Sequence, residues 1–480
     1  MKRVVVIGGG IAGLSAAYFL EKSAQQADLA LELSVVEREP RWGGKIVTER
    51  TGGFVIEGGP DTFLATKPWG VALCRELGLE PRLHGTNPKQ KSTYVLHHGR
   101  LRPLPDGLAM MVPTHFGSMA RTRLLSWPAK ARMGLDFLLP PRPDPEDESL
   151  GAFVSRRLGR PAYENLIEPL MSGIYAGDGD QLSLQATFPY LRDMETNHGG
   201  LVRGALAMRQ KMAKNGSSRN GSRSAFLTPT NGLGEIVEGL VERLQQAGVR
   251  LMCNTSAKRI QKTSDGYLIE LDGGETLSTD GLILAAPAFA SGSLLKELDP
   301  ELAGELQGIP YVTTATVSLA YPQESLPRPL DGYGYVIPRR EGRGALACTW
   351  TSTKFPHRAP EGYALLRVFI GRAGQEEHIR WDEASLLDIA KEELELTLGI
   401  EADPALSRVF IWEQAMPQYV LGHIGRLSRI EAAVERLPGL ALAGNGYRGI
   451  GIPDCIHSGE MAAEKILNYL PHPLAPPPYG

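Results

Sequence analysis

The chain begins MKRVVVIGGGIAGLSAAYFL, and four glycines between positions 8 and 13 constrain it more than any other stretch. Before them stand Val4, Val5, Val6 and Ile7, all β-branched; after them Leu14, Ala17 and Leu20 recur at helical spacing. That pattern predicts a strand, a tight turn and a helix. Gly8, Gly10 and Gly13 form G-x-G-x-x-G, in which the first glycine permits the turn, the second lets a pyrophosphate approach the backbone, and the third lets helix pack on strand. The phosphates then rest on the unpaired N–H groups of residues such as Ile11 and Ala12 at the helix start, where the dipole also favours anions. A second apolar run, Leu31 to Val36, ends in Glu37, 24 residues beyond Gly13. An acid about 20 residues on is what binding of ribose hydroxyls requires. The stretch is therefore read as a dinucleotide site.

Composition narrows the surroundings. A chain of 480 residues has room for about three domains and a large core. Lys+Arg 51 against Asp+Glu 54 leaves a net charge of −3, which carries no nucleic-acid footprint. Cys74, Cys253, Cys348 and Cys455 lie far apart with no C-x-x-C, so they read as reduced thiols of a cytoplasmic protein, neither a disulfide frame nor a metal site. Lys2 and Arg3 precede an apolar run too short for a signal peptide. The most apolar internal stretch, 281–290, is broken by Pro287 and falls short of the ~20 residues of a membrane span. A soluble protein is expected, with peripheral membrane contact at most.

Two further glycine-rich stretches lengthen the site. Gly43 and Gly44, flanked by Arg41 and Lys45, come just after the strand ending at Glu37, and Gly58-Gly59-Pro60-Asp61 follows. They stand where a cofactor longer than a nicotinamide dinucleotide needs more close backbone approaches. Far along the chain, Leu440 to Ala443 reads as a buried strand, Gly444 to Gly451 as a loop, and Ile452 onward as a helix with Pro453 in its first turn. A second helix start suits reduced flavin, whose N1 locus is anionic. Two such starts imply one extended cofactor, FAD, held at both ends.

These motifs, in this order, resemble the FAD-binding amine oxidase superfamily, which also holds phytoene desaturases. ENLIEPLMSGIYAGDGDQLSLQATFP (164–189), MPQY (416–419) and GIGIPDCI (449–456) narrow the likeness to the protoporphyrinogen/coproporphyrinogen III oxidase family, in its soluble bacterial branch. The resemblance runs from residue 1 to about 470. It implies an α/β fold: a Rossmann-like FAD-binding domain from 1–84, 226–292 and 407–472; a mixed α+β substrate domain from 85–110, 186–225 and 293–406; and a small helical domain, 111–185, serving as a lid or a membrane-docking-like element. The basic stretch NGSSRNGSRS (215–224) reads as a flexible connector and the Pro-rich tail, 473–480, as disordered.

The resemblance also implies chemistry. A porphyrinogen, most closely coproporphyrinogen III or else protoporphyrinogen IX, loses hydride to flavin N5 in three two-electron oxidations, and O2 takes the electrons to give H2O2. Aromatisation drives the reaction, so no side chain is expected to act as a catalytic acid or base, and no metal is needed. The cofactor contacts carried over are Gly8, Gly9, Gly10, Ile11, Ala12, Gly13, Glu37, Arg38, Lys45, Gly59, Pro60, Asp61, Thr62, Ala257, Trp412, Ile450, Gly451 and Ile452, with FAD held noncovalently. The macrocycle is expected against Gly173, Tyr333, Val336 and Phe369, with Lys67 facing a propionate. A transient contact with the next haem-pathway enzyme is implied as well. A flavin amine oxidase or carotenoid desaturase gives no reason for SGIYAGD, and a Rab escort or GDP-dissociation-inhibitor-like binding protein, lacking FAD, gives none for GIGIP.

Overall fold

The computed structural model describes residues 1–109, 112–113, 115–143, 146–214 and 224–470. All but Ser224 of the expected connector, and the whole expected tail, lie outside the described residues. Five parallel strands, β1 (Lys2–Ile7), β2 (Leu31–Val36), β3 (Arg250–Met252), β4 (Gly281–Leu284) and β5 (Leu440–Leu442), form one sheet in the order β3-β2-β1-β4-β5. Their apolar runs are continuous because both faces are covered. Val4, Val6, Leu33 and Ile283 join a core with Ile236 and Leu240 on one face, while Val5, Leu282 and Leu284 pack with Leu295, Leu302 and Ile430 on the other.

Helix α1 (Ile11–Gln26) leaves β1 and helix α2 (Ile452–Tyr469) leaves β5. A side chain at Gly459 would overlap the Ala12 carbonyl, so only glycine lets the two helices touch. The contact falls in the first turn of α1 but two turns into α2. At 1.5 Å per residue, α2 therefore begins about 10 Å further out than α1. The two helix starts are neighbours at the carboxyl edge of one sheet, the edge at which open α/β sheets bind their ligands.

A second sheet has seven strands, in the order Leu406–Pro417, Tyr311–Pro322, Tyr363–Ile370, Ala345–Trp350, Gly332–Val336, Ser92–His97, Arg100–Pro103. All neighbours are antiparallel except Gly332–Val336 with Ser92–His97. Period-2 alternation sends Tyr335, Cys348, Val368 and Val317 into a core closed by Leu386, Ala390 and Leu394 of the Glu383–Leu398 helix. Val336, Ala347, Phe369 and Thr316, aligned across four strands, occupy the opposite face.

Two expected boundaries move. The strand Leu406–Pro417 stays in the second sheet well past residue 407, because it pairs along Tyr311–Pro322. Residues 186–214, expected beside that sheet, form helices whose Phe188, Leu191, Met194, Leu201 and Val202 share a core with Leu150, Phe153, Tyr163 and Leu166 of the helical unit. Amphipathic helices go where another helix offers an apolar face. Among the described residues, no helix is long and apolar enough to cross a membrane.

Candidate active site

The glycines of the first turn answer to different constraints. Gly8 has φ +114°, and a Cβ there would lie 2.8 Å from the Ala285 backbone. At Gly9 a Cβ would overlap the Trp42 ring, and at Gly13 the Gly8 carbonyl. At Gly10 it would meet nothing closer than the Gly44 Cα at 4.0 Å. Gly10 alone is bare toward open space, as the approach of a phosphate requires. The first turn of α1 carries no acidic residue and no side-chain cap, so its N–H groups remain available. Glu37 accepts the Gly9 N–H (2.6 Å) on one oxygen and the Glu39 N–H (2.8 Å) on the other. Each oxygen keeps a second acceptor site for a ribose hydroxyl. Arg38 is exposed and pairs with Glu39 (2.9 Å).

Gly43 donates its N–H to the Gly9 carbonyl (2.8 Å), which stitches the second glycine pair to the first turn. Lys45, half-buried beside it, makes no hydrogen bond among the described residues and stands 5.9 Å from the centre of the Tyr311 ring. Burial pushes its ammonium down to about 8, with Cys455 opposing the shift. Ala257 opens the strand Ala257–Lys262 and is half-buried. The Gly58 carbonyl accepts three donors from the second sheet: Thr316 Oγ1 (2.7 Å), Trp412 Nε1 (2.9 Å) and Arg367 Nη2 (3.3 Å). A Cβ at Gly59 would overlap the Lys45 carbonyl. Pro60 follows, then Asp61, which Thr62 Oγ1 reaches at 3.0 Å and Lys354 Nζ at 3.0 Å. Burial alone would raise the Asp61 carboxyl, but Lys354 and Arg367 outweigh it and hold it at about 2.

At the second helix start, Ile450, Gly451 and Ile452 lead into α2. A carboxylate caps this start: Asp454 accepts the Gly451 N–H (3.2 Å) and both its oxygens take the Lys67 ammonium (2.6 and 2.7 Å). Lys67, expected on a propionate, makes this ion pair and stays partly exposed. Tyr333 is not in the cluster where Val336 and Phe369 pack. It is the extra residue in a bulge between Gly332 and Gly334, and its hydroxyl donates to the Asn87 carbonyl (2.9 Å).

Gly173, Val336 and Phe369 are brought together. Gly173 is exposed on the Glu168–Tyr175 helix, its nearest neighbour for a Cβ being Val336 Cγ1 at 4.0 Å, and Val336 and Phe369 pack on Ala176, Leu346 and Ala347. The helix end is pinned by Gln418 Nε2 on the Tyr175 carbonyl (2.9 Å), the Ala373 N–H on that of Ala176 (2.8 Å) and Arg339 Nη2 on that of Gly177 (3.3 Å). Sequence reasoning missed Trp42, Thr316, Lys354, Arg367 and Asp454. Only Asp454 had a local signal, as an acid in the first turn of a helix.

Bare backbone at Gly10, free N–H groups at α1, the oriented Glu37 and the unpaired Lys45 fit a flavin dinucleotide. The fold and site define a flavin-dependent oxidoreductase. The chain belongs to the flavin containing amine oxidoreductase family, whose model matches residues 11–467, and its cofactor is FAD. It is 39% identical over 473 residues to the coproporphyrinogen III oxidase of Bacillus subtilis (strain 168), covering 98% of each chain. It is 30% identical to the chloroplastic protoporphyrinogen oxidase of Nicotiana tabacum, covering 97% of this chain and 85% of that one. A crystal structure from Exiguobacterium sp. 255-15, provisionally named a protoporphyrinogen oxidase, matches with a TM-score of 0.85 at 33% identity, covering 97% of this chain and 98% of that one.

Proposed function

We propose that this oxidoreductase converts a porphyrinogen to its porphyrin, coproporphyrinogen III to coproporphyrin III, with O2 as final acceptor. The observation that carries the reading is the continuity of wall and cofactor loop: Phe369 is the cross-strand partner of Thr316, whose hydroxyl holds the Gly58 carbonyl. The apolar wall thus adjoins, through Thr316 and Arg367, the loop that would hold FAD. Bound FAD supplies the hydride acceptor. Gly173 leaves room for a macrocycle, Val336 and Phe369 give it an apolar face, and the pinned helix end keeps the gap constant, so the chain's contribution is orientation. The pyrrole protons go to solvent, and no side chain is assigned as acid or base. Three successive two-electron oxidations consume three O2 and release three H2O2.

Coproporphyrinogen III is favoured over protoporphyrinogen IX by the relatives: 39% identity to a coproporphyrinogen III oxidase against 30% to a plant protoporphyrinogen oxidase. Lys67 does not support the choice, since Asp454 neutralises it. The test is kcat/KM for both porphyrinogens, followed by porphyrin fluorescence and H2O2 yield. A larger value for coproporphyrinogen III is expected; a larger value for protoporphyrinogen IX moves the assignment to that substrate, and turnover of neither, with amines oxidised instead, overturns the reading. Four unpaired cysteines, three of them buried, support a cytoplasmic location, where a porphyrin product would pass to the next haem-pathway enzyme by transient contact.

A further inference from the structure

Behind the Gly58–Gly59 loop two carboxylates and three cations gather, of which Glu57, Arg358 and Arg367 are buried and Asp61 and Lys354 half-buried. Lys354 takes Asp61 (3.0 Å) and Arg358 takes Glu57 (2.8 Å). Arg367, 2% exposed, is left over: its hydrogen bonds go to the carbonyls of Gly58 (3.3 Å) and Gly59, and none to a carboxylate. Its guanidinium lies 4.7 Å from the centre of the Phe369 ring. One surplus positive charge therefore sits between the cofactor loop and the substrate wall. Asp61 and Glu57 attract it through space, but holding more positive than negative charge in so dry a place is costly. Such a charge interacts strongly with any negative charge that develops nearby in the same low-dielectric region.

The peptide geometry adds a second point. In a trans peptide the N–H points opposite to the preceding carbonyl. With the Gly58 carbonyl held by Arg367, Thr316 and Trp412, the Gly59 N–H is turned away from the sheet, and it has no acceptor among the described residues. Gly59 to Thr62 are only half-buried on that side.

We propose that Arg367 is a positioning residue that aims the Gly59 N–H at the flavin and whose surplus charge favours reduced over oxidised FAD. Two-electron reduction with uptake of one proton leaves one negative charge on the ring, and the electrons come from the substrate or, in the test, from an added reductant. The inference rests on the cofactor and not on which porphyrinogen is oxidised.

The test is redox titration of the FAD-loaded protein against a reference dye, with xanthine and xanthine oxidase as electron source, so no porphyrinogen turnover is read. R367M is expected to raise the oxidised-to-reduced ratio of bound FAD about tenfold at fixed potential, ~30 mV for a two-electron couple. R367K keeps the charge and should stay within about threefold of wild type. D61N removes the neighbouring negative charge and should shift the ratio the opposite way. An unchanged ratio in R367M, an R367K shift as large as that of R367M, or a D61N shift toward oxidised FAD overturns the proposal. If R367M does not retain FAD, R367K and D61N decide: D61N must favour reduced FAD while R367K stays near wild type, and any other result overturns it.

Discussion

The two glycine-rich helix starts lie side by side at one sheet edge and are built on opposite principles. The first, at α1, has no acid in its opening turn and no cap, and three of its four glycines are required because a side chain would strike the chain itself. The second, at α2, has its dipole already met by Asp454, whose charge Lys67 balances. An open helix start attracts a phosphate; one closed by a neutralised carboxylate offers shape and leaves no net charge to steer an anion. The pairing suits a cofactor with an anionic pyrophosphate at one place and a ring, neutral when oxidised, about 10 Å away.

The largest effect is expected at the first start. Gly13→Ala places a methyl on the Gly8 carbonyl and should cost ~3 kcal/mol of stability. Gly10→Ala, in open space, should leave the melting temperature within about 2 °C of wild type while FAD affinity falls at least tenfold. If Gly10→Ala melts as low as Gly13→Ala, the distinction between packing and ligand glycines is lost.

Asp61 comes next. Its carboxyl is held at about 2, below its unfolded value, so it contributes stability above pH 4 that disappears as pH falls through 2. Asp61→Asn should cost ~2 kcal/mol in urea unfolding at pH 7, and about half of that at pH 3. A cost independent of pH would assign the effect to packing.

Lys45 tests the charge beside the first start. With its ammonium lowered to about 8 by burial, binding of an anionic group favours the charged form. FAD affinity should be flat below pH 8 and fall above it by up to ~10-fold per pH unit. Lys45→Met should remove this dependence. A wild-type affinity constant from pH 7 to 9.5 would show that Lys45 does not meet an anion.

The smallest effect belongs to the second start. Lys67 and Asp454 are partly exposed, so a double-mutant cycle of Lys67→Met and Asp454→Asn should give a coupling of only ~0.5–1 kcal/mol, shrinking in 0.5 M salt. A coupling near zero would leave Asp454 as a helix cap alone.

Much of this arrangement was legible in the residue order. The strand-turn-helix units at 2–26 and 440–469 follow from β-branched runs, helical spacing and glycines, because each is decided by neighbours a few positions away. The end of β2 at Glu37 was legible for the same reason. The Lys67–Asp454 pair and the bulge at Tyr333 were not readable in this way: Lys67 meets a carboxylate 387 positions further on, and the bulge is set by pairing with a distant strand.

The sequence by itself determined which segments become the parallel sheet, where its glycines must fall and which carboxylate ends β2, since backbone sterics and period act locally. The tertiary structure alone decided what each polar side chain pairs with. Thr316, Arg367 and Trp412 reach one carbonyl, that of Gly58, from 258, 309 and 354 positions away, and Asp454 takes Lys67 from 387 positions away. The physical reason is that a buried hydrogen bond or ion pair depends on separations of a few ångströms set by packing of distant elements, and no local pattern encodes those separations.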